Sequence, residues 1–277
     1  VIVEKGYEMG NQILTLLSDF GFSDVYVGVL KGVIAQINPN LTVIDLTHQV
    51  PPQDVAAGSF CLLSAYSYFP TGTVHIAVVD PGVGSHRRAV AIQFAAGFLV
   101  GPDNGLFSRV LHQSPAQAAV ELTNPDYWRS PQPSTTFHGR DIFASVGAHL
   151  ASGVPLEALG TAIDPTILVQ LSLPEYRLTD TGVKGCIQYV DHFGNLITNI
   201  PSTVVQGKTW WVEATGVIIP GEQTYSDRLV GNLMALVGSH GWVEVAMNQG
   251  NAQARLSLGT GDAVQVILYS AVINLQQ

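Results

Sequence analysis

Three apolar runs in the first third of the chain each end on or near an acid, and helix-like stretches separate them. "ILTLLSD" ends at Asp19, "LTVIDLTH" carries Asp45 near its end, and "TVHIAVVD" ends at Asp80. Between the first two, "SDVYVGVLKGVIAQINP" puts Tyr26, Val29, Leu30, Val33 and Ile37 on one helix face, with Ser23 or Asp24 as cap and Pro39 as stop. Between the second and third, "DVAAGSFCLLSAYSYFP" reads as another helix, capped by Asp54 and stopped by Pro70. This βαβαβ order implies a parallel sheet with helices on both faces. Ligands of open α/β sheets sit beyond the carboxyl ends of the strands. A single acid at such an end is more often a turn or cap residue. Three on one rim mark that rim as the first place to look for a site.

After Arg88 the rhythm changes. "AVAIQF", "GFLVGP" and "AAVELT" read as further sheet strands, "NGLFSRVLHQ" as a short helix, and "RDIFASVGAHLASG" as a longer helix ending in glycine. "DPTILVQLSLPEYRLTDTG" reads as a connection. From about residue 183 the helical pattern is gone. "VKGCIQYVD", "NLITNI", "TWWVEATG", "LMALVGS", "WVEVAMN", "ARLSLG" and "AVQVILYS" are short, strand-like and separated by Gly, Asn, Asp and Pro. The expected fold is an α/β sandwich over residues 12–175, with a mostly parallel sheet, followed by an antiparallel β-barrel over 183–277. Residues 1–11 carry no strong pattern and read as a loose start.

Charge is scarce. Only 12% of the 277 residues are charged, against about 25% in a typical soluble domain, and hydrophobic residues reach 47%. A surface so thin in charge is expected to be covered by copies of the same chain. No apolar run approaches the roughly 20 residues of a membrane span. A net charge of -9 without a basic cluster argues against nucleic acid. Cys61 and Cys186 lie far apart in apolar runs, so they read as core thiols, with neither a disulfide framework nor a metal pair. The first residues, "VIVEKGYEMG", show no signal-peptide pattern, so the expected location is cytoplasmic.

Four polar clusters stand out. In "VVDPGVGSHRR", Gly82 and Gly84 lack the third glycine of a dinucleotide loop, and a strand follows where that loop needs a helix. "TTFHGRDIFA" offers His138, Arg140 and Asp141, the last two also explicable as a pair at a helix start. "YVDHFGNLITNI" reads either as a hairpin turn in which Asp191 and Asn195 bond their own backbone, or as a site with Phe193 for stacking and Asn195 for a purine edge. "GSHGWVEVAMNQGNA" places Ser239 and His240 in a turn between strands. His48, His75, His86, His138, Asp80, Asp141 and Asp191 could in principle hold a metal, but none shows HxH, HExxH or CxxC spacing. No G-x-S-x-G elbow for a serine hydrolase is present.

Taken together, "LLSDFGFSDVYVGVLKG", "DLTHQVPPQDVAAG", "VVDPGVGSHRR", "GPDNGLF", "TFHGRDIFA", "DHFGNLITNI" and "GSHGWVEVAMNQG" resemble the S-adenosyl-L-methionine (SAM) hydroxide adenosyltransferases, relatives of the SAM-dependent fluorinase and chlorinase. The resemblance implies hydrolysis of SAM to adenosine and methionine in a homotrimer, with SAM held at the subunit interface and no cofactor or metal. It implies a catalytic set of Asp80, Arg87 and His138. It places Asp19 at the ribose, Asp191 at the methionine amino group, Phe193 and Asn195 at the adenine, and Ser239 with His240 at the methionine carboxylate. The halogenases differ where this chain has His138-Gly139, Asp80 and Gln53, and they carry an insertion between "AVAIQF" and "GFLVGPDNGL" that is missing here. Those departures point away from halide chemistry. Three alternatives stay open: a halogenase making 5′-chloro-5′-deoxyadenosine, a non-catalytic SAM or adenosine sensor, and a metal-dependent hydrolase.

Overall fold

The computed structural model describes residues 12–269, so the expectation for residues 1–11 lies outside the described residues. The chain divides into two compact units between Leu171 and Ser172.

The first unit runs β1 (Ile13–Ser18), α1 (Tyr26–Ile37), β2 (Thr42–Thr47), α2 (Val55–Tyr66), β3 (Thr73–Val78), β4 (Ala89–Phe94), β5 (Gly97–Pro102), α3 (Ser108–Gln113), β6 (Ala116–Glu121), α4 (Ala144–Ala151) and β7 (Thr161–Ile163). Its sheet has the order β2-β1-β3-β5-β4-β6-β7. The β2-β1, β1-β3 and β3-β5 pairs are parallel and the remaining three antiparallel, so five of the seven strands share one direction. The chain steps from β1 outward to β2, then back past β1 to β3. The sheet therefore reverses its winding between β1 and β3, which is where open α/β sheets form a binding crevice.

β1 and β3 are buried along almost their whole length, because successive side chains point to opposite faces of the sheet and both faces are covered. Leu14, Leu16, Val74, Ile76 and Val78 pack in one cluster with Leu30, Val33 and Ile34 of α1 and with Val146 and Leu150 of α4. On the opposite face, Tyr66 of α2 meets Phe94 of β4 with ring centroids 5.7 Å apart. His75 and Thr15, directly paired across β3 and β1, are joined by a 2.8 Å hydrogen bond in the core.

Helix α1 departs from expectation in two ways. Its buried residues are Val27, Leu30, Val33 and Ile34, a face rotated from the one that includes Tyr26 and Ile37. Its N-cap is Val25, and neither Ser23 nor Asp24 makes a side-chain cap. Tyr26 is instead free of the core and packs on Phe20 and Phe137. Asp54 does cap α2, accepting from Ala57 N at 2.9 Å.

The second unit runs β8 (Arg177–Thr179), β9 (Gly182–Val190), β10 (Leu196–Pro201), β11 (Trp210–Ala214), β12 (Val217–Pro220), β13 (Leu233–Val237), β14 (Trp242–Met247), α5 (Ala252–Leu256) and β15 (Ala263–Leu268). All ladders are antiparallel in the order β12-β11-β15-β9-β10-β14-β13. A bridge between Gly221 and Ala235 links the two ends and nearly closes the barrel. Its interior holds Val183, Ile187, Leu196, Ile200, Val212, Val243, Val245 and Val266. Two expectations fail here: the stretch read as a connection carries the short strand β8, paired with β9, and one expected strand is a helix. "ARLSLG" is not a strand, because Asn251 caps it by accepting from Ala254 N at 2.7 Å and starts α5.

Among the described residues no helix is long and apolar enough to cross a membrane.

Candidate active site

A cleft of about 390 Å³ opens at the carboxyl ends of β1 and β3. Asp19, Asp80 and His138 line it, together with Phe20, Tyr26 and Phe137. Asp19 follows β1 and Asp80 follows β3, as the strand-end reasoning expects. Asp45 does not line it, although β2 is the neighbouring strand.

Asp80 and Arg87 form the centre of the polar wall. Arg87 Nε lies 3.0 Å from each Asp80 carboxylate oxygen, and Arg87 Nη2 also donates to Asp80 Oδ2. Their side chains are only 9% and 5% exposed. A buried ion pair of this kind contributes little net stability, because desolvation offsets much of the attraction. The same Nη2 lies 2.8 Å from His138 Nδ1, and the guanidinium rests on the Phe143 ring. One arginine thus joins an acid and a histidine that are far apart in sequence.

That contact fixes the state of His138. A guanidinium only donates, so Nδ1 must be the acceptor and the neutral ring carries its proton on Nε2. The electrostatics agree. Burial and then Arg87 push the His138 pKa below its ordinary value, against the opposing pull of Asp80 and Asp141.

Local structure explains how two distant loops meet. Gly84 has φ +77°, a left-handed conformation that favours glycine, and a Cβ there would collide with the Thr135 carbonyl. The 80–87 loop can therefore lie directly on the 135–138 loop. His138 immediately precedes a π-helical turn, Gly139–Phe143, which continues into α4. Such turns recur at functional sites. Asp141, buried in that turn, accepts from Arg140 Nε at 2.7 Å and from Ser134 N at 2.8 Å, closing the loop that carries His138. Arg88 has a different task. It bonds Asp103 Oδ2 and the Ile167 carbonyl oxygen, and so ties loops together away from the cleft. His86 is exposed.

In the second unit the structure shows the turn geometry of Asp191 and Asn195. Asp191 Oδ1 accepts from Phe193 N at 2.9 Å and Asn195 N at 2.8 Å, while Oδ2 accepts from Asn195 Nδ2 at 2.9 Å. Phe193 is 72% exposed at the tip, and Asn195 is buried. Ser239 is exposed in the β13–β14 turn. His240 is committed within the unit. Its Nδ1 accepts from Trp242 N at 3.1 Å, which leaves Nε2 to donate to Glu244 Oε2 at 3.0 Å. Gly238 makes room, since a Cβ there would strike the His240 ring.

Sequence reasoning missed several of these participants. Glu244, almost fully buried on β14, also accepts from Tyr225 OH at 2.7 Å. Burial, then Glu244 and Asp191, push the Tyr225 pKa upward, so its phenol stays protonated and donating. Glu244 gave a local signal, being a lone acid in the apolar run "WVEVAMN". Phe20, Tyr26 and Phe137 gave none, because aromatic residues beside a strand end read equally well as core. Among the described residues, no three His, Cys, Asp or Glu side chains are grouped to hold a metal ion.

An α/β unit followed by a nearly closed barrel is the two-domain arrangement of the SAM hydroxide adenosyltransferases, and the chain belongs to that family. The family's N-terminal domain matches residues 14–160 and its C-terminal domain residues 185–265. The chain is 41% identical to an (R)-S-adenosyl-L-methionine hydrolase of Salinispora tropica, over 91% of this chain and 97% of that one. It is 29% identical to a fluorinase of Nocardia brasiliensis, over 92% and 96% of the two chains. The fold matches the crystal structure of an uncharacterized conserved protein from Thermotoga maritima with a TM-score of 0.87, at 34% identity over 92% of this chain and 99% of that one.

Proposed function

We propose that this protein hydrolyses SAM to adenosine and L-methionine by attack of an activated water at the ribose C5′ carbon. The observation that carries this reading is the single guanidinium of Arg87 holding both Asp80 and His138 in the cleft. Family membership and the identity to (R)-S-adenosyl-L-methionine hydrolases support it.

The chemistry balances without a cofactor. The water oxygen forms a bond to C5′, the C5′–S bond breaks, and its electron pair returns to sulfur. Methionine leaves as a neutral thioether, so no acid is needed to assist it. The difficulty is the nucleophile, since water with a pKa of about 15.7 yields little hydroxide near neutrality. Positive charge builds on the attacking oxygen unless a proton leaves. With the Nδ1 lone pair of His138 facing Arg87, Asp80 is the acceptor for that proton, and His138 Nε2–H orients the water. Alignment with the C–S bond supplies up to roughly 7–11 kcal/mol of the barrier reduction.

Asp19 is assigned to the ribose, Asp191 to the methionine amino group, Phe193 and Asn195 to adenine, and Ser239 to the methionine carboxylate. His240 acts there by shaping the Ser239 turn, because both its ring nitrogens are engaged. We also propose a cytoplasmic homotrimer with the site at the subunit interface. Large exposed apolar side chains flank the assigned residues: Phe22 and Val25, 59% and 73% exposed, follow Asp19, and Phe193 lies within the Asp191 turn. Light scattering in solution tests the trimer.

Incubation with SAM, with and without chloride and with EDTA, tests the reaction. Adenosine and methionine are expected under all conditions. A chlorinated nucleoside would make the protein a halogenase, bound SAM without turnover a sensor, and loss of activity in EDTA a metal enzyme.

A further inference from the structure

A second polar chain lies under the cleft, at the ends of β1 and β2. Lys31 Nζ lies 2.6 Å from Asp45 Oδ2, Asp45 Oδ1 lies 3.2 Å from His48 Nε2, and His48 Nδ1 lies 2.7 Å from Ser18 Oγ. The order Ser-His-Asp is that of a hydrolase triad, but Ser18 and His48 are 1% and 0% exposed, so no substrate reaches the hydroxyl. Residues three apart on a regular strand face opposite ways. The β1–β2 ladder slips by one residue between its Leu16–Asp45 and Leu17–Thr47 pairs. This bulge brings Asp45 and His48 to one side.

The chain ends on the segment that carries Asp19. Ser18 Oγ, bonded to His48 Nδ1, accepts from Phe20 N at 3.3 Å, and the His48 carbonyl oxygen accepts from Gly21 N at 2.7 Å. His48 therefore grips the residues on the far side of Asp19 twice, once through Ser18 and once through its own main chain. Gln53 N holds Asp19 Oδ2 at 2.8 Å, and Gln53 adopts φ 67°, a conformation costly for a residue with a side chain. The structure tolerates that strain where it orients the carboxylate.

We infer that His48 and Ser18 are positioning residues that aim the Asp19 carboxylate into the cleft, and so set recognition of the ribose hydroxyls. Burial lowers the His48 pKa, with Asp45 opposing, which favours the uncharged ring beside Ser18. The inference rests on the assignment of Asp19 to the ribose.

The test compares binding of adenosine and 2′-deoxyadenosine by calorimetry, which needs no turnover. The unaltered protein is expected to prefer adenosine by about tenfold or more, the scale of a charge-assisted hydrogen bond. Ser18→Ala and His48→Phe should erase most of that preference, with thermal unfolding measured alongside. Ser18→Ala should change nothing further in an Asp19→Ala background, as coupled residues require. A preference that survives Ser18→Ala in folded protein overturns the inference while leaving the Asp19 assignment standing. Equal binding of the two nucleosides by the unaltered protein overturns both. Failure to release methionine from SAM, with the preference intact and sensitive to Ser18→Ala, supports the inference and sinks only the catalytic reading.

Discussion

Arg87 Nη2 lies 2.8 Å from His138 Nδ1 while the same guanidinium holds the Asp80 carboxylate. Replacing it with methionine removes a positive charge beside the ring and leaves the pull of Asp80 and Asp141 on His138 unopposed by that charge. The pKa of His138, now below its ordinary value, should rise in Arg87→Met, as read by NMR of the imidazole. Turnover should fall by about 100-fold or more, the range of a lost proton-transfer arrangement. In the unaltered protein, protonation of His138 abolishes the acceptor at Nδ1. The pH profile of kcat/KM should therefore fall on its acid side with an apparent pKa below 6.5.

Asp80→Ala removes the proposed proton acceptor and leaves the buried Arg87 guanidinium unpaired, so thermal unfolding is measured alongside. Turnover should fall by roughly 100- to 10,000-fold, with SAM affinity changed far less. Calorimetric binding and single-turnover kinetics separate the two. Equal loss of both would mean that Asp80 binds substrate rather than activating water.

Gly84→Ala strains the backbone and drives a methyl group into the Thr135 carbonyl. The expected cost is about 1–3 kcal/mol of stability. Turnover should fall with it, because the loops carrying Asp80 and His138 are pushed apart. Gly153→Ala is the control: it shares a positive φ, and its Cβ position is open. It should cost stability and leave turnover intact.

Acid stability should reflect His75. Burial lowers its pKa from 6.5 to about 4 in the folded protein. The unfolded chain therefore binds this proton first as pH falls. Stability is full above 6.5 and is lost progressively down to about 4, by on the order of 3 kcal/mol. His48, His138 and His149 are shifted the same way and add to the slope. His75→Leu should flatten the dependence of the urea midpoint on pH across this window.

The strand-end acids were legible because strand period and turn chemistry are local. A run of β-branched and apolar residues closing on Asp19 or Asp80 states both the strand and its end. The barrel was legible for the same reason, from short alternating runs between turn residues. Local signals failed where tertiary packing had the final say. Tyr26 satisfies the helical spacing of α1, yet the cleft claims its ring. "ARLSLG" is strand-like in composition, yet the Asn251 cap and the contact of Gln253 N with the Gly194 carbonyl make it a helix.

By itself, the sequence determined the alternating first unit, the helix-poor second one, and the acids at the strand ends. Only the tertiary structure decided that Arg87 joins Asp80 to His138, that His240 is committed to Glu244, and that His48 is bonded to the residues on either side of Asp19. Those contacts span loops that periodicity does not encode. They depend on a close approach at Gly84, a bulge in β2 and a tautomer set by a donor-only partner, each defined once the chain has closed on itself.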